Sequence, residues 1–345
     1  LCLFLLLNFS RYKSKLFRNS LNFVDKIFKI NSENEFNELA LSVFRYQYEN
    51  IPIYNTYINS RKISLNQIQH YAEIPFLPIQ FFKSHEIIAR NSSTATTFLS
   101  SGTTNQERSK HYVHNLDMYK RSFTTGFQNI YGDVKDQIIL ALLPSYQEQG
   151  NSSLIYMVDQ LIKESNEQSG YLELNSELTI QKIHDLKDEN VLLIGVSYAL
   201  LDLIENYNLP RLKNWNIIET GGMKGRKREI VREELHEILQ KGFEKENIHS
   251  EYGMTELLSQ AYSTQGGKFT TPRWMKFLIR ELEDPFTYCQ YEKTGGINII
   301  DLANVYSCSF IETQDLGRMH KDGTVSILGR FDQAEIRGCN LLTFN

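Results

Sequence analysis

The residues best suited to chemistry begin at Ser100-Ser101-Gly102-Thr103-Thr104, with Arg108 and Lys110 close behind. Hydroxyls gathered around one glycine can wrap phosphate oxygens, because glycine lets backbone N–H groups approach an anion and a nearby cation offsets its charge. No G-x-x-x-x-G-K-[ST] frame fits the stretch, so it is not a Walker loop. The same residue types also build plain polar turns, and composition alone leaves both readings open. A second stretch is Ser250-Glu251-Tyr252-Gly253-Met254-Thr255-Glu256. An exposed tyrosine there can stack on a base, and Thr255 can bond a phosphate or carboxylate oxygen. Glu256 is a hard oxygen ligand suited to Mg²⁺, though a Thr-x-Glu cap at a helix start has the same appearance. Thr313-Gln314-Asp315-Leu316-Gly317 sets an acid where two ribose hydroxyls could donate to it, or where a turn simply needs an aspartate. Gly329-Arg330-Phe331-Asp332 leads to Ile336-Arg337-Gly338-Cys339, either a charged hairpin with an incidental thiol or a reactive end.

The elements that must carry these residues alternate in type. Positions 20 to 90 read mainly helical, with Phe36, Leu39, Ala40, Val43, Phe44 and Tyr48 on one face. Pro52, Pro75 and Pro78 interrupt that pattern, and Ile74 to Pro78 reads as an extended connector. Beyond it, Gln137 to Leu143, Val191 to Val196, Trp215 to Glu219 and Ile248 to Ser250 read as strands. Helical patterns follow at Ser152 to Ile162, through Ile204, and at Lys227 to Phe243. Such alternation predicts a parallel twisted sheet covered by helices, with ligands beyond the carboxyl ends of its strands. After about 275 the pattern turns strand-rich, with Gly295-Gly296 and Asp322-Gly323 as expected turns. The division expected is a helical region packed on the core over 1–90, an α/β core over 91–330 with a β-rich end, and a short tail over 331–345.

A chain of 345 residues, 41% hydrophobic and 12% aromatic, can bury a large core. A net charge of −4 argues against a nucleic-acid surface. Cys2, Cys289, Cys308 and Cys339 are too scattered for a zinc set or a secreted disulfide framework, and a reduced cytoplasmic setting is expected. The apolar start, Leu1 to Leu7, is too short to span a bilayer; basic residues follow it, which does not fit a signal peptide. With no initiating Met, the start reads as a fragment or a misplaced beginning. Cys289, Cys308, Phe81-Phe82 and the Tyr54/Tyr57 pair read as core. His111 and His114 lack a third ligand and read as polar contacts rather than a metal pair. An acyl pocket is expected after Pro144, near Tyr146, Gly150 and Ser152, because they follow a central strand.

The order of motifs resembles the adenylate-forming superfamily of acyl- and aryl-CoA synthetases, peptide-synthetase adenylation domains and luciferases. Within it, the chain is most similar to acyl-protein synthetases of the LuxE type. Leu143-Pro144-Ser145-Tyr146, Gly150 to Leu154, Tyr252 to Tyr262, Thr313 to Leu316 and Ile336 to Cys339 carry that likeness. The resemblance implies the large N-terminal α/β domain of the superfamily, with parallel sheets, covering helices and a small β subdomain, but without the C-terminal lid domain. It implies ATP and Mg²⁺ as cofactors. Ser100, Ser101, Gly102, Thr103 and Thr104 would hold the phosphates; Gly221, Gly222, Tyr252 and Gly253 would line the adenine side; Asp315 and Arg330 would serve the ribose. Thr255 would touch the α-phosphate or acyl carboxylate and Glu256 would bind the metal. Asn105, Glu107 and Arg108 stand where the superfamily has Gly, Pro and Lys, so either Arg108 or Lys110 supplies the loop's charge.

The resemblance also implies transfer of a fatty or other acyl group from the adenylate to Cys339, then to a partner acyl reductase or acceptor protein. Arg337 beside it would lower the thiol pKa; otherwise Cys339 is a small buried hydrophobe. The competing expectations are an acyl- or aryl-CoA ligase of the phenylacetate type, an acyltransferase to a carrier or glycan, and a non-catalytic nucleotide-binding subunit. Neither nucleic acid nor a stable membrane span is expected.

Overall fold

The computed structural model describes residues 23, 25–101, 107–143, 151–174, 176–221, 230–284 and 286–331. Helix α1 (Glu33–Asn50) begins where the Ser32 side chain accepts from Glu35 N, with Glu33 and Glu35 complementing the positive end of the helix. Of its periodic face, Phe36, Leu39, Ala40, Val43 and Phe44 are buried as the spacing predicts, whereas Tyr48 is only partly buried and its hydroxyl donates to Asn59 Oδ1 at 2.9 Å. Pro52 opens α2 (Pro52–Ser60) at a position that needs no N–H. Buried Gln47 ties α1 to the distant segment 304–309: its Nε2 donates to Asn304 O and Val305 O, and its Oε1 accepts from Ser309 N, all at 3.0 Å.

The connector after Ile74 becomes β1 (Leu77–Pro78). Strands β2 (Thr96–Leu99) and β3 (Lys110–Val113) form an antiparallel pair with Leu99 opposite Lys110, so the hydroxyl-rich stretch leaves from the end of a hairpin. Helix α3 (Leu116–Tyr131) is capped by Asn115. Then β4 (Ile138–Leu142), α4 (Ser153–Glu164), β5 (Gly170–Tyr171), β6 (Val191–Val196), α5 (Ser197–Asn206), β7 (Trp215–Thr220), α6 (Arg232–Phe243), β8 (His249–Tyr252) and β9 (Ala261–Ser263) follow in turn. The sheet order is β5-β4-β6-β7-β8-β9, parallel except for the antiparallel β9. Every residue of β4 and β6 is buried, which explains their unbroken apolar sequences in a sheet covered on both faces.

The C-terminal part is antiparallel: β10 (Lys268–Phe269), β11 (Met275–Arg280), β12 (Thr294–Asp301), β13 (Phe310–Met319) and β14 (Val325–Arg330), in the order β10-β14-β13-β12-β11, with β1 parallel to β13. Gly295 and Gly296 are not the turn expected of them; both lie inside β12. A side chain at Gly295 would collide with the Arg280 carbonyl, and one at Gly296 with the Arg280 guanidinium. That guanidinium is buried and donates to Ile297 O, Asn298 Oδ1 and Thr313 O, so the glycines serve close approach rather than reversal. Asp322-Gly323 is a turn, with Gly323 at φ +84°. Among the described residues no helix is long and apolar enough to cross a membrane.

Candidate active site

A cleft of about 410 Å³ opens at the carboxyl ends of β7 and β8, where such sheets bind ligands. Three groups of backbone meet there. Ser100, Ser101 and Arg108 come from the hairpin ends, Asn151 to Leu154 from the start of α4, and Thr220, Gly221 and Gly253 to Thr255 from the strand ends. Leu99 N donates to Asn151 O at 2.8 Å and joins the first two groups. Ser100 N donates to Ser109 O at 3.0 Å, and Ser109 N donates to Ser100 Oγ at 2.9 Å. These bonds close the base of the hydroxyl-rich loop. Gly102, Thr103 and Thr104 lie outside the described residues, as do Gly222, Cys339, and Pro144, Tyr146 and Gly150 of the expected acyl pocket. Ser152 of that pocket is on the cleft wall. Of the two alternative cations, Arg108 lines the cleft, whereas Lys110 is exposed on β3 away from it.

The turn after β8 is held from behind. Buried His111 meets Thr255 O through Nδ1 at 2.8 Å, and its Nε2 lies 2.9 Å from Asn304 Oδ1. Burial pushes this imidazole down to about 4, so it is neutral at pH 7 and can donate from one nitrogen at a time. Asn304 Nδ2 donates to Glu256 O at 2.8 Å and fixes the next carbonyl. His114 turns instead to Ser93 O at 2.6 Å, so the two histidines are separate polar contacts. Among the described residues no cluster of three or more His, Cys, Asp or Glu could hold a metal. Glu251 is the carboxylate on the cleft wall, and Glu256, the expected metal ligand, lies next to Thr255 without lining the cleft. Glu256 is 5% exposed; burial raises its pKa and the Ser109 hydroxyl opposes that. One poorly compensated carboxylate fits Mg²⁺ brought in by substrate phosphates and its own waters.

Tyr252 is not the exposed ring its sequence context implied. It is 9% exposed, edge-on to Phe269 and Phe277, with centroids 6.1 and 5.7 Å away. Its hydroxyl donates to Asp315 Oδ2 at 2.6 Å. Arg330 faces Asp315 across the β13–β14 ladder, its Nε 3.8 Å from Asp315 Oδ1. Tyr252, Asp315 and Arg330 therefore form one connected group, next to but not among the residues that line this cleft. Gly221 adopts φ +70° at the end of β7, a conformation that favours glycine, and its carbonyl accepts from Ser197 Oγ at 2.8 Å.

Sequence reasoning gave no role to several residues of the wall, among them Thr220, Glu251 and Gln260. The available signal was a glutamate inside a strand that should be buried on both faces, an expensive placement without a partner. Thr220 Oγ1 donates to Glu251 Oε2. Burial pushes Glu251 up to about 7; the Thr220 hydroxyl pulls it down and the charge on Glu219 pushes it up again. Gln260 is 5% exposed, and its Oε1 is buried without a hydrogen-bond partner among the described residues.

The sequence profile described as "Acyl-protein synthetase, LuxE" matches residues 25–344. No curated protein matches the chain significantly. Among solved structures, 2-hydroxyisobutyryl-CoA ligase in an open conformation with 2-HIB-AMP and CoA is similar at a TM-score of 0.62 and 11% identity, over 87% of this chain and 70% of that one. ATP-bound MatB from Rhodopseudomonas palustris is similar at 0.53 and 16% identity, over 70% of this chain. The match spans about half of the MatB chain, 49%. At these identities the likeness establishes the α/β fold of the adenylate-forming enzymes' large domain.

Proposed function

The chain belongs to the LuxE acyl-protein synthetase family, and from that premise we propose that it uses ATP to activate a carboxylic acid as its acyl-adenylate, then passes the acyl group to the thiol of Cys339. In the first step a carboxylate oxygen attacks the α-phosphorus, the bond to the bridging oxygen breaks, and pyrophosphate leaves. In the second the Cys339 thiolate attacks the acyl carbonyl, a thioester forms, and AMP departs with the bonding pair. The observation that carries this reading is the single cleft that gathers the base of the hydroxyl-rich loop, Arg108, Gly221 and Thr255.

Roles follow from position. The loop's N–H groups and hydroxyls, with Arg108, offset charge that builds on the departing pyrophosphate. Thr255, its carbonyl fixed by His111, presents its hydroxyl toward the α-phosphate or the acid. Asp315 and Arg330 serve the ribose, and Tyr252 backs the adenine side with its hydroxyl fixing the Asp315 carboxylate. Mg²⁺ held through Glu256 supplies further charge neutralisation when bound. The adenylation step depends on the carboxylate end of the acid; the fatty acid and the partner acyl reductase or acceptor protein are what the resemblance implies. A cytoplasmic setting keeps the Cys339 thiol reduced.

The test is ATP–pyrophosphate exchange with a panel of carboxylic acids, fatty acids included, followed by labelling with the best of them. A hydroxylamine-sensitive label that disappears in Cys339→Ser is expected. Retention of that label in the variant rejects self-acylation at this site, and absence of exchange with every acid rejects adenylation.

A further inference from the structure

The cleft has two kinds of wall. Residues of the strand ends, Thr220 and Glu251 among them, make one part polar, whereas Leu99, Leu154 and Met157 make the part beside α4 apolar. Leu154 and Met157 stand three residues apart on α4 and therefore share a face. Leu99 is held to the start of that helix by its N–H bond to Asn151 O. Tyr119 of α3 lines the same cleft and yet is only 1% exposed. Three aromatic rings pack on it: Tyr156 is stacked at 5.8 Å, and Phe98 and Phe123 meet it edge-on at 5.6 and 5.0 Å. Its hydroxyl donates to Ser153 O at 3.0 Å, in the first turn of α4. A ring held by one hydrogen bond and three close-packed neighbours does not yield readily, so the apolar part of the cleft ends on it.

Resting on the adenylation reading above, we infer that the hydrocarbon of the acid lies along Leu99, Leu154 and Met157 and ends against the Tyr119 ring, which sets the longest chain accepted. The carboxylate end belongs with Arg108 and Thr255, where charge is handled, and the rest of the acid gains by covering apolar surface. A chain that instead left through the mouth of the cleft would bury little and would be indifferent to Tyr119. Length is therefore read by a packed ring rather than by a hydrogen bond. A chain that stops short leaves part of the wall uncovered, and one methylene too many must push into Phe98, Phe123 and Tyr156.

ATP–pyrophosphate exchange on the full chain, with straight-chain acids of increasing length, tests the inference. In the wild type kcat/KM should rise roughly 4-fold per methylene up to an optimum, the effect of burying one CH₂, and fall about 10-fold just beyond it. Tyr119→Leu, which removes the ring and stays apolar, should move the optimum to longer acids. Tyr119→Phe loses the bond to Ser153 O but keeps the ring, and should keep the optimum of the wild type. Leu154→Trp, at a partly exposed point of the wall, should move it to shorter acids. A measurement on the unaltered chain stands beside these variants: an acyl sulfamoyl adenosine of the optimal length, with a diazirine on its terminal carbon, should crosslink to Tyr119, Leu154 or Met157. An optimum that Tyr119→Leu leaves in place, or crosslinking to none of the three, overturns the inference and leaves adenylation standing. Absence of exchange with every acid overturns the adenylation reading and this inference together.

Discussion

Strands β7 and β8 each contribute a buried glutamate near their carboxyl ends, and the two have opposite fates. Glu219 pairs in register with Ser250, and Thr220 with Glu251, so the carboxylates point to opposite faces of the sheet. Both are nearly inaccessible, at 2% and 7% exposure. Burial is the largest influence on each and pushes each upward. On the Glu219 face, Arg232 Nε stands 3.1 Å from Oε1, His236 Nε2 stands 3.5 Å away, and the Ser250 hydroxyl adds its share. Together they outweigh burial and hold Glu219 below the usual range. On the Glu251 face, a single threonine hydroxyl opposes burial, and the group rises to about 7. Burial alone thus does not distinguish a structural carboxylate from one facing a ligand; what is set against it does.

Breaking the satisfied side should have the largest effect. Arg232 also donates to Ile327 O at 2.9 Å and lies over the Phe269 ring, so it ties the parallel sheet to the antiparallel one. Arg232→Ala leaves a buried carboxylate unpaired and is expected to cost about 3–5 kcal/mol in urea unfolding. A cost under about 1 kcal/mol would mean that Glu219 does not depend on its arginine.

Removing the charge on the other side should stabilise the free protein, with a set dependence on pH. The ordinary value of a glutamate is 4.5 and the folded value of Glu251 is about 7. The contribution of the neutral acid is therefore fully present below about 4.5 and is lost as the pH rises through 7. Between about pH 5 and about pH 8, wild type should lose roughly 2–3 kcal/mol from this group. Glu251→Gln should lack that loss, so the gap between variant and wild type widens with pH. A constant gap would show that Glu251 does not titrate in this window.

Much of the scaffold was legible in the sequence. Val191 to Val196 is a strand with the bounds its apolar run indicates, and the face of α1 is buried as its spacing requires except at Tyr48. Where backbone alone decides, as at Asp322-Gly323, the turn is where glycine and aspartate put it. Gly295-Gly296 failed for a physical reason: a glycine needed for clearance looks the same in sequence as one needed for a turn. The site was legible in part. Ser100, Ser101, Arg108, Gly221, Gly253 and Thr255 come from distant segments and line one cleft. Arg108 and Lys110 are distinguished by where β3 begins: Arg108 precedes the strand and lines the cleft, whereas Lys110 is the strand's first residue and does not. Glu251 and Gln260 escaped notice because their significance lies in what they lack, and a missing partner is a property of packing rather than of spacing.

The smallest effect isolates the one hydroxyl on the Glu251 side. Thr220→Val keeps shape and burial and removes the donor to Glu251 Oε2. Near pH 8 Glu251 is mostly ionised and the lost bond is charge-assisted, a contribution of about 1.5–3 kcal/mol. Near pH 5 the acid is neutral, and the same bond contributes about 0.5–1.5 kcal/mol. The cost of Thr220→Val should therefore be about 1 kcal/mol larger at the higher pH. Ser250→Ala is the matching change on the other face, since the Ser250 hydroxyl helps hold Glu219 below the usual range. Glu219 stays ionised across the same range, so the cost of that change should not vary with pH. Equal behaviour of the two variants would erase the distinction between the two glutamates; a pH-dependent cost confined to Thr220→Val would assign the titration to the face that lines the cleft.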